Sequence, residues 1–183
     1  MEDLSTSELE KLKYPIGKFR WPKSVSDEDL KGYVREIKSL PEKLDLEVSG
    51  LSETQLSTPY RPGGWTVRQT INHIFDSHIN SYTRFKLALT EDKPIIRGYE
   101  EADWAELADG QNFPVNTSLQ MIKNLHHRWV YLLESLTDEQ WNSVFIHPEM
   151  KKEISLKSNA ALYDWHGNHH LAHITQLKKR SGW

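Results

Sequence analysis

The sequence predicts an all-α chain folded as a four-helix bundle, and three observations carry that reading. One dominant amphipathic period of the helical kind runs through four long segments. Ser/Thr-led capping signals open helices, and Gly/Pro-rich turns separate them. The connections are not all short, so at least one crossover is expected in the bundle.

Residues 1–23 carry Pro15, Gly17 and Pro22 among mixed charges and read as an irregular arm lying across a single domain, residues 24–183. The first long helix opens at Ser26-Asp27-Glu28-Asp29, where Ser26 caps and the acids suit the positive end of the helix dipole. It runs to about Val48, with Pro41 bending or restarting it. Thr58-Pro59-Tyr60-Arg61-Pro62-Gly63-Gly64 is a turn. Thr66-Val67-Arg68-Gln69 is a capping box that starts a second helix reaching about Leu89. Pro94 to Pro114 reads as a long connection with one short helix around Asp103–Leu107. Thr117-Ser118-Leu119-Gln120 reads as another capping box, opening a third helix through Leu136. Val144–His147 and Glu153–Leu156 flank a polar turn and read either as a small hairpin or as an extended loop. A fourth helix is expected from about Asn159 to Lys179.

Composition excludes several functions. The chain has 183 residues, 23 Lys+Arg against 26 Asp+Glu, a net charge of −3 and no cysteine. That length suits one domain able to fold without a disulfide or metal. The absence of cysteine removes thiolate nucleophiles, redox pairs, iron–sulfur clusters and Cys-based zinc fingers. The slight acidity argues against nucleic acid as a partner, since Lys151-Lys152 and Lys178-Lys179-Arg180 are too short to form a basic stripe. The longest apolar run, Trp129–Leu133, is far below the roughly 18 residues that a membrane span needs. The acidic N-terminus lacks the apolar stretch of a signal peptide, so no membrane partner and a cytoplasmic location are expected. Nucleotide-binding glycine motifs and the GxSxG elbow are also missing.

Histidine is what stands out. Four of the nine lie in Trp165-His166-Gly167-Asn168-His169-His170-Leu171-Ala172-His173, giving two HxxxH pairs. Residues four apart sit about 40° apart around a helix, so either pair can grip one ion. Tyr163, His166, His170, Ile174 and Leu177 share one stripe, which points His166 and His170 inward and leaves His169 and His173 nearer the rim. Spacing alone leaves two readings open, a metal site or core histidines satisfied by hydrogen bonds. A third ligand has to come from another helix. Periodicity favours His78, on the apolar stripe Val67-Ile71-Ile74-Tyr82-Phe85-Leu89, over His73, which shares a polar face with Thr70, Ser77, Asn80 and Arg84. His126-His127 and His147 read as packing or surface residues, and Trp65 and Trp165 as aromatic walls.

Gly63-Gly64-Trp65-Thr66-Val67-Arg68-Gln69, Asn72-His73-Ile74 and Trp165-His166-x3-His170 together resemble the DinB/YfiT-like family of metalloenzymes. The resemblance is closest to its YfiT branch, also called bacillithiol transferases. It extends from Tyr14-Pro15-Ile16-Gly17 to Ala172-His173-Ile174-Thr175, nearly the whole chain. It implies a four-helix bundle and a metal held by His73, His166 and His170, in place of the His78 that periodicity prefers. It also implies an inward His73 face, which makes Ser77, Asn80 and Arg84 pocket candidates, and a homodimer.

Three neutral imidazoles leave a divalent ion its full charge and an open position, the form of a catalytic site. Zinc is the first choice, with nickel, iron and manganese also suited to such a donor set. The resemblance implies a thiol S-transferase that joins a low-molecular-weight thiol, such as bacillithiol, to small electrophiles. A chain without cysteine has to receive its sulfur as a cosubstrate. The alternatives are a metal-dependent hydrolase using activated water and a metal-binding bundle without catalysis. The acid/base residues are not legible in the sequence.

Overall fold

In the computed structural model, which describes residues 5–183, the expected capping signals act where the chain needs donors satisfied. Helix α2 (Asp27–Val48) opens on Ser26, whose hydroxyl accepts from Asp29 N–H while the Asp29 carboxylate accepts from Ser26 N–H. Helix α4 (Val67–Thr90) opens on the same reciprocal pair, Thr66 and Gln69. Gly63 and Gly64 shape the turn before it, for different reasons. Gly63 adopts φ of +64°, which costs a residue with a side chain. A Cβ on Gly64 would stand 2.7 Å from Arg61 Cγ and 3.2 Å from the Arg61 carbonyl oxygen.

The arm is only partly irregular. Ser5 and Glu8 form a capping box that starts a two-turn helix, α1 (Thr6–Lys13), ahead of Pro15. The remainder does lie across the domain: Trp165 Nε1–H donates to the Gly17 carbonyl at 3.2 Å. Met1–Leu4 of the expected arm fall outside the described residues.

Two further boundaries differ from expectation. Helix α7 (Val115–Glu134) starts at Pro114, not at a Thr117 capping box. Thr117 N–H already bonds the Pro114 carbonyl, and Ser118 turns inward to donate to Asn72 Oδ1 at 2.6 Å. Helix α9 (Leu156–Ser181) begins earlier than Asn159, capped by Ser155. The connection from Pro94 to Pro114 holds two short helices, α5 (Glu101–Ala105) and α6 (Ala108–Asn112), where one was expected. Single-turn helices α3 (Glu53–Leu56) and α8 (Asp138–Trp141) precede α4 and the strands. Strands β1 (Val144–His147) and β2 (Lys152–Ser155) form the small antiparallel hairpin, with Phe145 opposite Ile154.

The four long helices form the bundle. Helix α2 packs mainly on α9 and α7, and α4 on those same two, so α2 and α4 face each other across a diagonal. The connections before α4 and before α9 therefore cross the bundle. Two apolar clusters fill it. One gathers Ile37, Phe85, Trp129, Leu133, Phe145 and Tyr163; the other gathers Leu40, Leu44, Ile71, Ile74, Ile122 and Ile174. On α4, α7 and α9 the sequence between these clusters is polar, and holds His78, His126, His166 and His170. Among the described residues no helix is long and apolar enough to cross a membrane.

Helix α9 approaches α2 closely at Gly167, beside the histidines. A Cβ there would lie 2.5 Å from Leu40 Cδ2, and Leu40 is itself buried. Gly167→Ala gains up to about 1 kcal/mol of helix propensity but overpacks the α2–α9 contact at about 1–3 kcal/mol. We expect a net loss of about 1 kcal/mol, read as a lower urea midpoint with an unchanged slope.

Candidate metal centre

His73 reaches the interior because α4 is covered on two sides. The α5–α6 connection packs on the face that periodicity assigns to solvent. Asn72 Nδ2 donates to the carbonyls of Asp109 and Gly110, both at 2.9 Å, and Gln69 Nε2 donates to that of Ala105 at 3.0 Å. In its first two turns α4 buries every residue from Val67 to Ile74. His73 is left 3% exposed, turned toward α9.

His73, His166 and His170 come together, with one ring nitrogen of each within 4.8 Å of the others. His73 Nε2 and His166 Nε2 are 3.2 Å apart. Two nitrogens bound to one tetrahedral ion at about 2.0–2.1 Å stand about 3.3–3.4 Å apart, so this spacing fits a shared divalent ion. The donor set fits as well, being three imidazoles with no fourth His, Cys, Asp or Glu in the group among the described residues. His78, favoured by periodicity, is fully buried but stands behind the cluster, its Nε2 3.1 Å from His166 Nδ1.

His169 and His173 do not sit at a rim as the apolar stripe suggested. Both are buried and, with His170, form a second close group of nitrogens. Trp165, one turn earlier on the same helix, stacks on His169 at 4.4 Å, Tyr14 of the arm stands 6.1 Å from that ring, and Tyr60 of the turn stacks on His173 at 3.9 Å. His173 Nε2–H donates to the Lys13 carbonyl at 3.2 Å, which commits that nitrogen to the N-terminal arm.

Two chambers open onto the cluster. One, of about 540 Å³, is lined by Ser77, Arg84, Tyr99, Glu101 and Tyr163, with His147 and Glu149 from the hairpin. The other, of about 480 Å³, is walled by Tyr14, Tyr60, Arg61, Trp65, His169 and His173, and reaches His73 and His170. Glu101, Trp165 and His166 border both. Ser77 and Arg84 therefore line a chamber beside the cluster. Asn80 lines neither: its amide donates to the Asp76 carbonyl of its own helix at 2.8 Å. Trp65 and Trp165 are walls, as expected. Glu101 escapes sequence reasoning, since one exposed acid in a connection carries no periodic signal.

Electrostatics favour neutral imidazoles throughout. Burial holds the His73 pKa down to about 3, with the nearby His169 adding to the effect. Burial also lowers His169 to about 4 and His173 to about 3, and drives His166 and His170 well below the ordinary value. Glu101 moves the other way. Desolvation of its carboxyl raises its pKa, partly offset by the Arg84 guanidinium. Asp164 is half-buried; desolvation and Glu36 raise its pKa to about 6.

Residues 36–174 match the DinB superfamily. A protein of Bacillus subtilis (strain 168) named "Putative metal-dependent hydrolase YfiT" is 46% identical over 172 residues, covering 94% of this chain and 97% of its own length. A Bacillus cereus (strain 03BB102) protein, also named "Putative metal-dependent hydrolase", is 50% identical over 172 residues, covering 94% of this chain and 98% of its own. The solved structure of YfiT from Bacillus subtilis, described as having "an unusual four-helix bundle topology", superposes with a TM-score of 0.92 at 46% identity, covering 94% of this chain and 99% of that one.

The depressed imidazoles make metal-free stability depend on pH. An unfolded histidine titrates near 6.5, so below that pH the unfolded chain binds more protons and acid favours unfolding. For His126, held down to about 4 mainly by burial, the loss runs from about pH 6.5 to pH 4. It amounts to about 3 kcal/mol for that ring alone. Urea unfolding of metal-free protein at pH 7.5, 6 and 5 should show a steadily falling midpoint.

Proposed function

The chain belongs to the DinB superfamily, and from that premise we propose that His73, His166 and His170 hold one divalent ion at the active centre of a metal-dependent enzyme. The observation that carries this reading is the position of the three nitrogens: a group with His73 and His170 buried and His166 half-buried, which fits one ion and borders two chambers. Zinc is the first choice for a three-imidazole site, with nickel, iron or manganese as alternatives. When bound, such an ion supplies a Lewis acid that lowers the proton affinity of a thiol or of water.

We read the reaction as transfer of a low-molecular-weight thiol to a small electrophile. Two chambers meeting at His166 suit two organic reactants, and a chain without cysteine takes its sulfur from one of them. In that step a sulfur–carbon bond forms, the bond to the leaving group breaks, and that group departs with the electron pair. The thiol proton passes to the Glu101 carboxylate. This group borders both chambers, and desolvation raises its proton affinity. Trp65 and Trp165 exclude water from the second chamber, and Arg84 offers positive charge in the first. A second reading is hydrolysis, favoured by the names of the relatives; there water takes the place of the thiol and Glu101 receives its proton.

Elemental analysis should find close to one divalent ion per chain, and almost none in His166→Ala. With metal in place, consumption of bacillithiol in the presence of 1-chloro-2,4-dinitrobenzene should exceed background and vanish on chelation. Hydrolysis of 4-nitrophenyl esters without any thiol effect would select the second reading. Glu101→Gln should keep its metal and lose about 100-fold in turnover.

A further inference from the structure

The metal reading leaves His78 and His126 unused, and neither lines a chamber. His78 and His126 are 0% and 1% exposed, and both lie in the polar layer between the apolar clusters. They form a continuous line of hydrogen bonds from the backbone of α2 to His166, and that line has only one consistent direction.

The line starts at Pro41. A proline inside a helix has no N–H for the carbonyl four residues earlier. In α2 that carbonyl belongs to Ile37, at a buried position where an unpaired acceptor is costly. His126 Nδ1 reaches it at 2.6 Å. A carbonyl only accepts, so His126 Nδ1 carries the hydrogen and, in a neutral ring, Nε2 is a bare lone pair. His78 Nδ1 stands 2.9 Å from that lone pair and donates to it. His78 Nε2 is then bare, and takes the hydrogen of His166 Nδ1 at 3.1 Å. His166 Nε2 is left without a hydrogen. This is the atom 3.2 Å from His73 Nε2, in the three-histidine group. The rings are neutral because both are buried and no carboxylate hydrogen-bonds to either among the described residues, so a charge there would stand unpaired at a cost of several kcal/mol.

We propose that His126 and His78 are positioning residues that transmit the hydrogen-bond direction of the Ile37 carbonyl, released by Pro41, to His166, fixing the ring and tautomer that aim its Nε2 lone pair at the metal position. The proposal rests on the reading of His166 as a ligand. A hydrogen bond to the far nitrogen of a metal-binding imidazole orients the ring and raises its basicity, and loss of such a partner typically weakens metal binding 10–100-fold.

Two measurements test it. Nitrogen-15 NMR of the histidine side chains in metal-free protein at pH 7.5 should show hydrogen on Nδ1 of His126, His78 and His166. A hydrogen on Nε2 of His78 or His166 would overturn the proposal, and this readout needs no metal. The second is cobalt(II) titration of wild type, His78→Gln and His78→Leu. The glutamine amide can donate to His126 and accept from His166, so His78→Gln should bind cobalt within about threefold of wild type. His78→Leu can do neither and should bind about 10–100-fold more weakly. Equal affinity in all three would reduce His78 to packing and end the proposal. If His78→Leu fails to fold, a glutamine variant as weak as His166→Ala would be equally decisive against it. Should wild type itself bind no cobalt while NMR shows the expected tautomers, the metal reading fails and the direction of the line stands.

Discussion

The polar layer at mid-height of the bundle constrains everything around it. His73, His78, His126 and His170 are buried between two apolar clusters, and His166 stands among them with an edge on both chambers. A charge in such a place costs several kcal/mol unless paired, and no carboxylate hydrogen-bonds to any of these five rings among the described residues. The rings are therefore neutral, and each neutral imidazole has one donor and one acceptor to satisfy. His126 and His78 meet that demand through one another and the Ile37 carbonyl. His170 does not: its Nδ1 is buried without a partner among the described residues. A layer that is partly self-satisfied and partly unsatisfied is costly as it stands, and a bound cation would use lone pairs that no hydrogen reaches.

This layer also spreads buried polar residues around α9. Its histidines occupy several faces, and the arm and the Tyr60 turn bury the face that four-helix packing alone would leave open. Close contact between α2 and α9 then requires Gly167, adjacent to His166, since Leu40 occupies the space of a Cβ. The candidate ligand's neighbour in sequence thus sets how near the helix backbone comes to Leu40. Packing and site geometry are not separable here.

The four long helices, the Gly-Gly turn, the capping boxes at Ser26 and Thr66 and the inward stripe His166/His170 were all legible, because each depends on neighbours within one or two helical turns. Periodicity failed where a distant segment covers a polar face. His73 lies on such a face of α4, covered by Trp65 of the turn and by His166 and His170 of α9, and only the family resemblance singled it out. His169 and His173 failed for the same reason, since Tyr14 beside His169, and Tyr60 and Lys13 against His173, are more than 100 residues away in the chain. Pro41 was visible as a possible bend. That it frees the Ile37 carbonyl follows from counting back four residues, but that His126 receives it depends on how α2 meets α7. Glu101 had no local signal of any kind.

Helices and connections divide the work of the site. The candidate ligands and the residues behind them lie on α4, α7 and α9, regular elements held by apolar packing on both sides of the layer. The chamber walls come largely from elsewhere: Tyr14 from the arm, Tyr60 and Arg61 from the turn, Tyr99 and Glu101 from the connection, His147 and Glu149 from the hairpin. Rigid elements hold nitrogens to the tolerance that coordination requires, whereas connections tolerate substitution and insertion. A change of substrate can therefore be made in the walls without disturbing the three nitrogens. The crossed topology makes this possible, because the long connections before α4 and α9 have to travel over the bundle and close on the site.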